Sequence, residues 1–128
     1  RSTMTGDATE YSDLMIALTR AAGIPAQFVS GVYYNSQSDD PEIAKKLEWV
    51  MTYLPGVGWA PVNPYWGKFS EDGDEYFAVN TRHQVIFTLG RNLEILNGYL
   101  FYYYKFKHSP DRPASFNTEE TWLVQPEP

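Results

Sequence analysis

Gly6-Asp7-Ala8-Thr9-Glu10-Tyr11-Ser12-Asp13-Leu14-Met15-Ile16-Ala17-Leu18-Thr19-Arg20-Ala21-Ala22-Gly23-Ile24-Pro25-Ala26 is the stretch on which the fold turns. Tyr11, Leu14, Met15, Leu18 and Ala22 recur at i, i+3, i+4, i+7 and i+11, an apolar stripe that reads as one amphipathic helix over residues 7–22. Asp7 and Glu10 have the spacing of a capping box, with Asp7 as N-cap. Gly23 suits a left-handed residue just past the helix, and Pro25 prevents continuation.

Outward from this helix the pattern changes from helical to alternating. Residues 26–34 (AQFVSGVYY) are rich in strand formers, and Gly31 among them marks a bulge or a close approach. Residues 35–46 read as a loop with a short helical turn at 41–46. Residues 48–54 and 59–62 form a hairpin about a turn at 55–58, and Asn63-Pro64 ends its second strand. An acidic turn follows at 71–75 (EDGDE). Further strands are expected at 84–89, at 99–106, where Lys105 and Lys107 would share a solvent face with Tyr103, and at 121–124. One helix followed by antiparallel strands is an α+β pattern, the N-terminal helix packed on an antiparallel β-sheet.

The 128 residues suit a single domain over 1–128, and 43% hydrophobic with 16% aromatic residues is enough for a core. The chain opens on Arg1, as expected of a piece of a longer protein, so any targeting segment is expected outside it and localisation stays unknown. No run approaches the ~20 apolar residues that span a bilayer, so no membrane insertion is expected within this segment. Ten Lys+Arg against 16 Asp+Glu give a net charge of −6, which argues against a nucleic-acid partner. Zero cysteine excludes disulfides, thiolate metal sites and a cysteine nucleophile.

Three segments together resemble the transglutaminase-like core domain, a papain-like cysteine-triad fold. They are Gly6–Tyr11 leading into Arg20–Ala26, then Glu48-Trp49-Val50 before the hairpin turn, then Gly58-Trp59-Ala60-Pro61-Val62-Asn63-Pro64 after it. Members of that family read Gly-Asp-Cys-Thr-Glu at the helix start, His-Ala-Trp-Val before the hairpin and Gly-Trp-x-Pro-Val-Asp-Pro after it. The arrangement has a physical logic. A cysteine in the first turn of a helix is favoured as thiolate by the dipole, a histidine takes its proton, and an acid orients the imidazole. The resemblance places that cysteine at Ala8, the histidine at Leu47 and the aspartate at Asn63, so the implied triad is degenerate at all three positions. It implies a pseudoenzyme, a scaffold or binding module for a protein, peptide or glycan. The competing readings are a cysteine protease or transamidase seen in inactivated form, and a spacer without ligand.

Nothing else in the chain supplies the missing chemistry. His83, before the strand at 84–89, and His108, beside Ser109-Pro110, lack metal-ligand spacing and read as structural. Ser12 and Ser30 carry no cue for a base. The acidic turn lacks the spacing of a calcium loop, and no metal or cofactor is expected. Aromatic residues are the better ligand candidates, because ring faces in a groove hold peptides or sugars. Trp49, Tyr65, Trp66 and His83 are the candidate contacts. For Trp49, as for Trp59, a core role in the hairpin competes and is favoured, whereas Tyr65 and Trp66 lie beyond the strand end.

Overall fold

Helix α1 (Ala8–Ala21) begins on the capping box that its sequence spells. The Glu10 amide donates to Asp7 Oδ1 at 3.1 Å, and the Asp7 amide donates to Glu10 Oε2 at 2.9 Å. It ends in a Schellman motif. Gly23 (φ +80°) donates to the Arg20 carbonyl at 2.9 Å, and Ile24 donates to that of Thr19 at 3.0 Å. The Arg20 guanidinium then binds the Ala26 carbonyl through Nε and Nη2 at 3.1 and 2.8 Å, tying the helix end to the first strand. The computed structural model describes residues 5–34, 43–71, 73–79, 83–104, 106, 107, 109, 111 and 117–123.

The buried face of α1 is not the stripe read from the sequence. Ser12 and Ile16 are buried, and Ala8 and Met15 pack beside them. Leu14 and Leu18 stay 52% and 63% exposed. Apolar residues occur on more than one side of this helix, and the side with the small residues Ala8 and Ser12 is the one that turns inward.

The strands are β1 (Ala26–Tyr34), β2 (Ile43–Leu54), β3 (Gly58–Val62), β4 (Gln84–Leu89) and β5 (Trp122–Leu123). They form one antiparallel sheet in the order β3-β2-β1-β4, with β5 paired to the start of β2. The helical turn expected at 41–46 is absent where the structure describes that stretch. Residues 43–46 open β2, and Ala44, Lys45 and Lys46 pair with Tyr34, Tyr33 and Val32. Here the partner strand overrides a weak local signal. Asn63-Pro64 does end β3, and it also starts a short helix, α2 (Pro64–Phe69). Proline at the first helical position after an asparagine cap is the signal that was there.

The expected strand at 99–106 does not form among its described residues. A 3₁₀ turn (Glu94–Leu96) leads into Asn97 and Gly98, both at positive φ (51° and 79°), which reverse the chain. A further turn, Tyr103 N–H to Leu100 O at 3.0 Å, follows. Aromatic content gave these residues a strand-like look, yet no sheet edge receives them. Tyr99 and Tyr103 stack on each other instead, centroids 4.4 Å apart. Lys105 and His108 lie outside the described residues, and Lys107 is exposed.

Alternation along β1 and β2 divides the core between the two faces of the sheet. On one, Ile16, Ala26, Phe28 and Val50 cluster, with Met15 and Leu100 against them. On the other, Val29, Leu47 and Trp49 cluster, with Ala8, Tyr33, Met51 and Trp66 against them. Trp59, which the sequence reading favoured as core, is 44% exposed and packs edge-on to its cross-strand partner Tyr53 at 5.6 Å. Among the described residues no helix is long and apolar enough to cross a membrane.

Candidate functional site

Ala8 is the first residue of α1, where the positive end of the helix dipole lies. Its methyl group packs against the cluster of Val29, Leu47 and Trp49. Leu47 is 6% exposed on β2, opposite Gly31 of β1. Asn63 is buried at the end of β3 and holds three elements together. Its Oδ1 accepts the Trp66 amide at 3.0 Å, capping α2, and its carbonyl accepts the Gly67 amide at 2.9 Å. Its own amide donates to the Tyr76 carbonyl at 2.9 Å. Ala8 and Leu47 thus meet in one cluster, and Asn63 caps the helix whose Trp66 joins it. A methyl group, an isobutyl group and a carboxamide engaged as a cap offer neither nucleophile nor base.

The capping role makes a measurable distinction. Asn63→Ser, which keeps a capping oxygen without burying a charge, is expected to lose less than about 1 kcal/mol, while Asn63→Ala should lose about 1–2 kcal/mol. Urea unfolding of the two variants checks this, and equal losses would show that the cap is not what the residue supplies.

Of the candidate ligand contacts, Trp49 is buried at 1% exposure and has no open face. Tyr65 and Trp66 line an open groove of about 360 Å³ with Phe69, Ser70 and Tyr76. Trp66 meets Tyr33 at 4.6 Å and Tyr76 at 5.7 Å, in both cases edge to face. His83 stands beyond Tyr33, 6.0 Å from its ring and 5.0 Å from that of Tyr34, and does not line the groove. Tyr76 went unmarked in the sequence because it arrives from a separate 3₁₀ turn (Gly73–Tyr76). A neighbouring groove of about 340 Å³ lies between Thr5, Gly6, Glu10, Tyr11, Leu14 and Lys68.

A second polar feature was also missed. Glu48 is buried on β2 and accepts a hydrogen bond from the Tyr102 hydroxyl. A charge inside the apolar run Leu47-Glu48-Trp49-Val50 was the available signal. Burial, then the bond to Glu48, raises the Tyr102 pKa well above its ordinary value of 10.0. A proton held more tightly in the folded than in the unfolded chain stabilises the fold fully below about pH 10, and that contribution is lost as pH rises further. The urea midpoint should therefore fall as pH rises above about 10, and Tyr102→Phe should flatten that slope. An unchanged slope in the variant would remove Tyr102 as its source. Tyr33 is raised in the same direction, by burial first and then by Tyr76 and Glu75.

Among the described residues no three His, Cys, Asp or Glu side chains are grouped so as to hold a metal ion. The sequence profile of the transglutaminase-like superfamily matches residues 2–64. Residues 2–64 belong to the transglutaminase-like superfamily. The matched stretch holds α1, β1, β2 and β3, and it ends at the first residue of α2. No curated protein and no solved structure matches the chain. The transglutaminase-like segment therefore carries Ala8, Leu47 and Asn63, while Tyr65, Trp66 and Tyr76 of the groove lie just beyond it.

Proposed function

We propose that this transglutaminase-like domain is catalytically silent and serves as a binding or scaffold module for a protein, peptide or glycan segment. The observation that carries the reading is the aromatic groove of Tyr65, Trp66, Phe69 and Tyr76. Its central ring, Trp66, also packs on the cluster that Ala8 adjoins and Leu47 helps to form. Apolar side chains at positions 8 and 47 suit this, since they bring no polar group of their own into the cluster that would need a buried partner.

The test restores only the nucleophile. Ala8→Cys is expected to give no amidase, protease or transamidase turnover and no labelling by a mechanism-based thiol probe, because Leu47 cannot accept the thiol proton. Turnover or labelling by that variant would favour the enzyme reading. Titration with peptides and glycans, followed by NMR, separates a binding module from a spacer. Shifts at Trp66 and Tyr65 support binding, and none with any probe supports the spacer.

A further inference from the structure

We propose that the groove of Tyr65, Trp66, Phe69 and Tyr76 takes the cationic side chain, lysine or arginine, of a basic peptide segment. This rests on the binding reading above and names its ligand class. The first argument is ring geometry. Trp66 and Tyr76 stand at 72° to each other, Tyr65 and Phe69 at 60°, and Trp66 and Tyr33 at 67°. These rings pack against one another at steep angles, so the groove offers no flat platform of the kind on which a sugar ring stacks best. The negative face of an aromatic ring attracts an ammonium or guanidinium group.

The second argument is charge. The 3₁₀ turn that supplies Tyr76 also carries Asp74 and Glu75, both exposed, and Glu71 precedes it. The turn is held close to α2: a Cβ on Gly73 would lie 2.8 Å from the Gly67 carbonyl oxygen. Burial, then Tyr76, then Glu75 favour the protonated form of Tyr33, whose ring packs on Trp66. The two ion pairs among the described residues, Lys46–Glu120 and Arg91–Asp13, use none of these carboxylates. The nearby cation, Lys68, turns into the neighbouring groove. There its Nζ lies 4.7 Å above the Tyr11 ring and 5.1 Å from the Phe69 centroid, so the same aromatic cluster already receives one ammonium group. The groove itself is lined by aromatic residues and adjoins the turn that carries the exposed Asp74 and Glu75, a setting complementary to a second.

The experiment titrates the whole 128-residue chain, isotopically labelled, with three probes followed by NMR. They are a capped Gly-Ser peptide with two lysines, the same peptide with both lysines Nε-acetylated, and a neutral cello-oligosaccharide. The lysine peptide should shift the Trp66 indole and Tyr76 signals. Acetylation, which removes the charge, should weaken binding by about threefold or more, and so should raising salt from about 50 to 300 mM. The exposed double variant Asp74→Asn/Glu75→Gln should weaken it similarly, while Glu94→Gln/Glu119→Gln, exposed acids on other segments, should not. Equal loss in both double variants would mean diffuse attraction to an acidic surface and would overturn the proposal. So would an acetylated peptide or oligosaccharide that binds the groove as tightly, although the binding reading would then stand. If no probe moves Trp66 or Tyr76, the proposal and that reading both fail.

Discussion

Replacing Gly31 with alanine is expected to destabilise the domain by about 3 kcal/mol or more, the high end for overpacking a core. A Cβ built there would lie 2.1 Å from the Val85 carbonyl oxygen, 3.1 Å from its carbon and 2.8 Å from Trp49 Cη2. The first two are backbone atoms and cannot rotate aside. Backbone conformation is not the issue, because Gly31 is not among the positive-φ glycines. The position is a close approach between β1 and β4, at the irregularity where their register shifts between Ser30 and Gly31. Relief would require β4 to detach, giving up the Gly31–Ile86 and Val32–Val85 pairs, or Trp49 to push into Val29 and Leu47. Gly67→Ala in α2 is the control. Its Cβ would meet only ordinary contacts at 3.6 and 3.7 Å, so it should be neutral or stabilising by about 0.5–1 kcal/mol. Urea midpoints and hydrogen exchange of the β4 amides give the readout. A loss below about 1 kcal/mol for Gly31→Ala would mean that β4 yields easily.

Gly31 was legible in the sequence because a glycine inside a strand of β-formers has few other reasons to be there. The same holds for Asp7 with Glu10 and for Gly23 before Pro25. Each is a local device whose partners lie within a few residues, so spacing alone specifies it. What the sequence hid depends on partners far along the chain. Leu14 and Leu18 lie on the stripe that the spacing picks out and Ile16 does not, and it is docking on Phe28 and Val50 that brings Ile16 inward. The extension of β2 back to Ala44 follows from the length of β1, whose last residue Tyr34 pairs with it, and Ile43 pairs with Leu123 of β5. Residues 99–104 carry strand-like aromatics, but Asn97 and Gly98 turn them away from any edge.

The site divides along the same line. Positions 8, 47 and 63 were marked by resemblance, and Tyr65 and Trp66 by their place beyond a strand end. That Asn63 spends its carboxamide on the Trp66 amide depends on α2, whose start the Asn-Pro pair signalled. That Tyr76 faces Trp66 depends on a turn pressed onto α2 from later in the chain. No spacing rule reaches that far.

Leu47→His, the substitution toward the histidine that the resemblance places at this position, is expected to destabilise the fold by about 3 kcal/mol. Leu47 is buried among Val29, Trp49, Ala8, Tyr33, Met51 and Trp66. Two effects add. Part of the ~1.5–3 kcal/mol of buried leucine is lost, and a buried ring nitrogen without a partner costs about 1–3 kcal/mol. One group works against this loss: the Trp49 Nε1 hydrogen is buried without a hydrogen-bond partner among the described residues and would gain one if the imidazole turned toward it. That gain is bounded by a single neutral hydrogen bond, about 1 kcal/mol, which is smaller than the sum opposing it. Leu47→Met keeps volume and polarity and should lose less than about 1.5 kcal/mol. The contrast separates loss of shape from introduction of polarity. A Leu47→His protein as stable as Leu47→Met, measured by urea unfolding, would mean that the strand still accommodates an imidazole facing Ala8. Position 47 would then be a site held open, and the packed-core account of its leucine would be wrong.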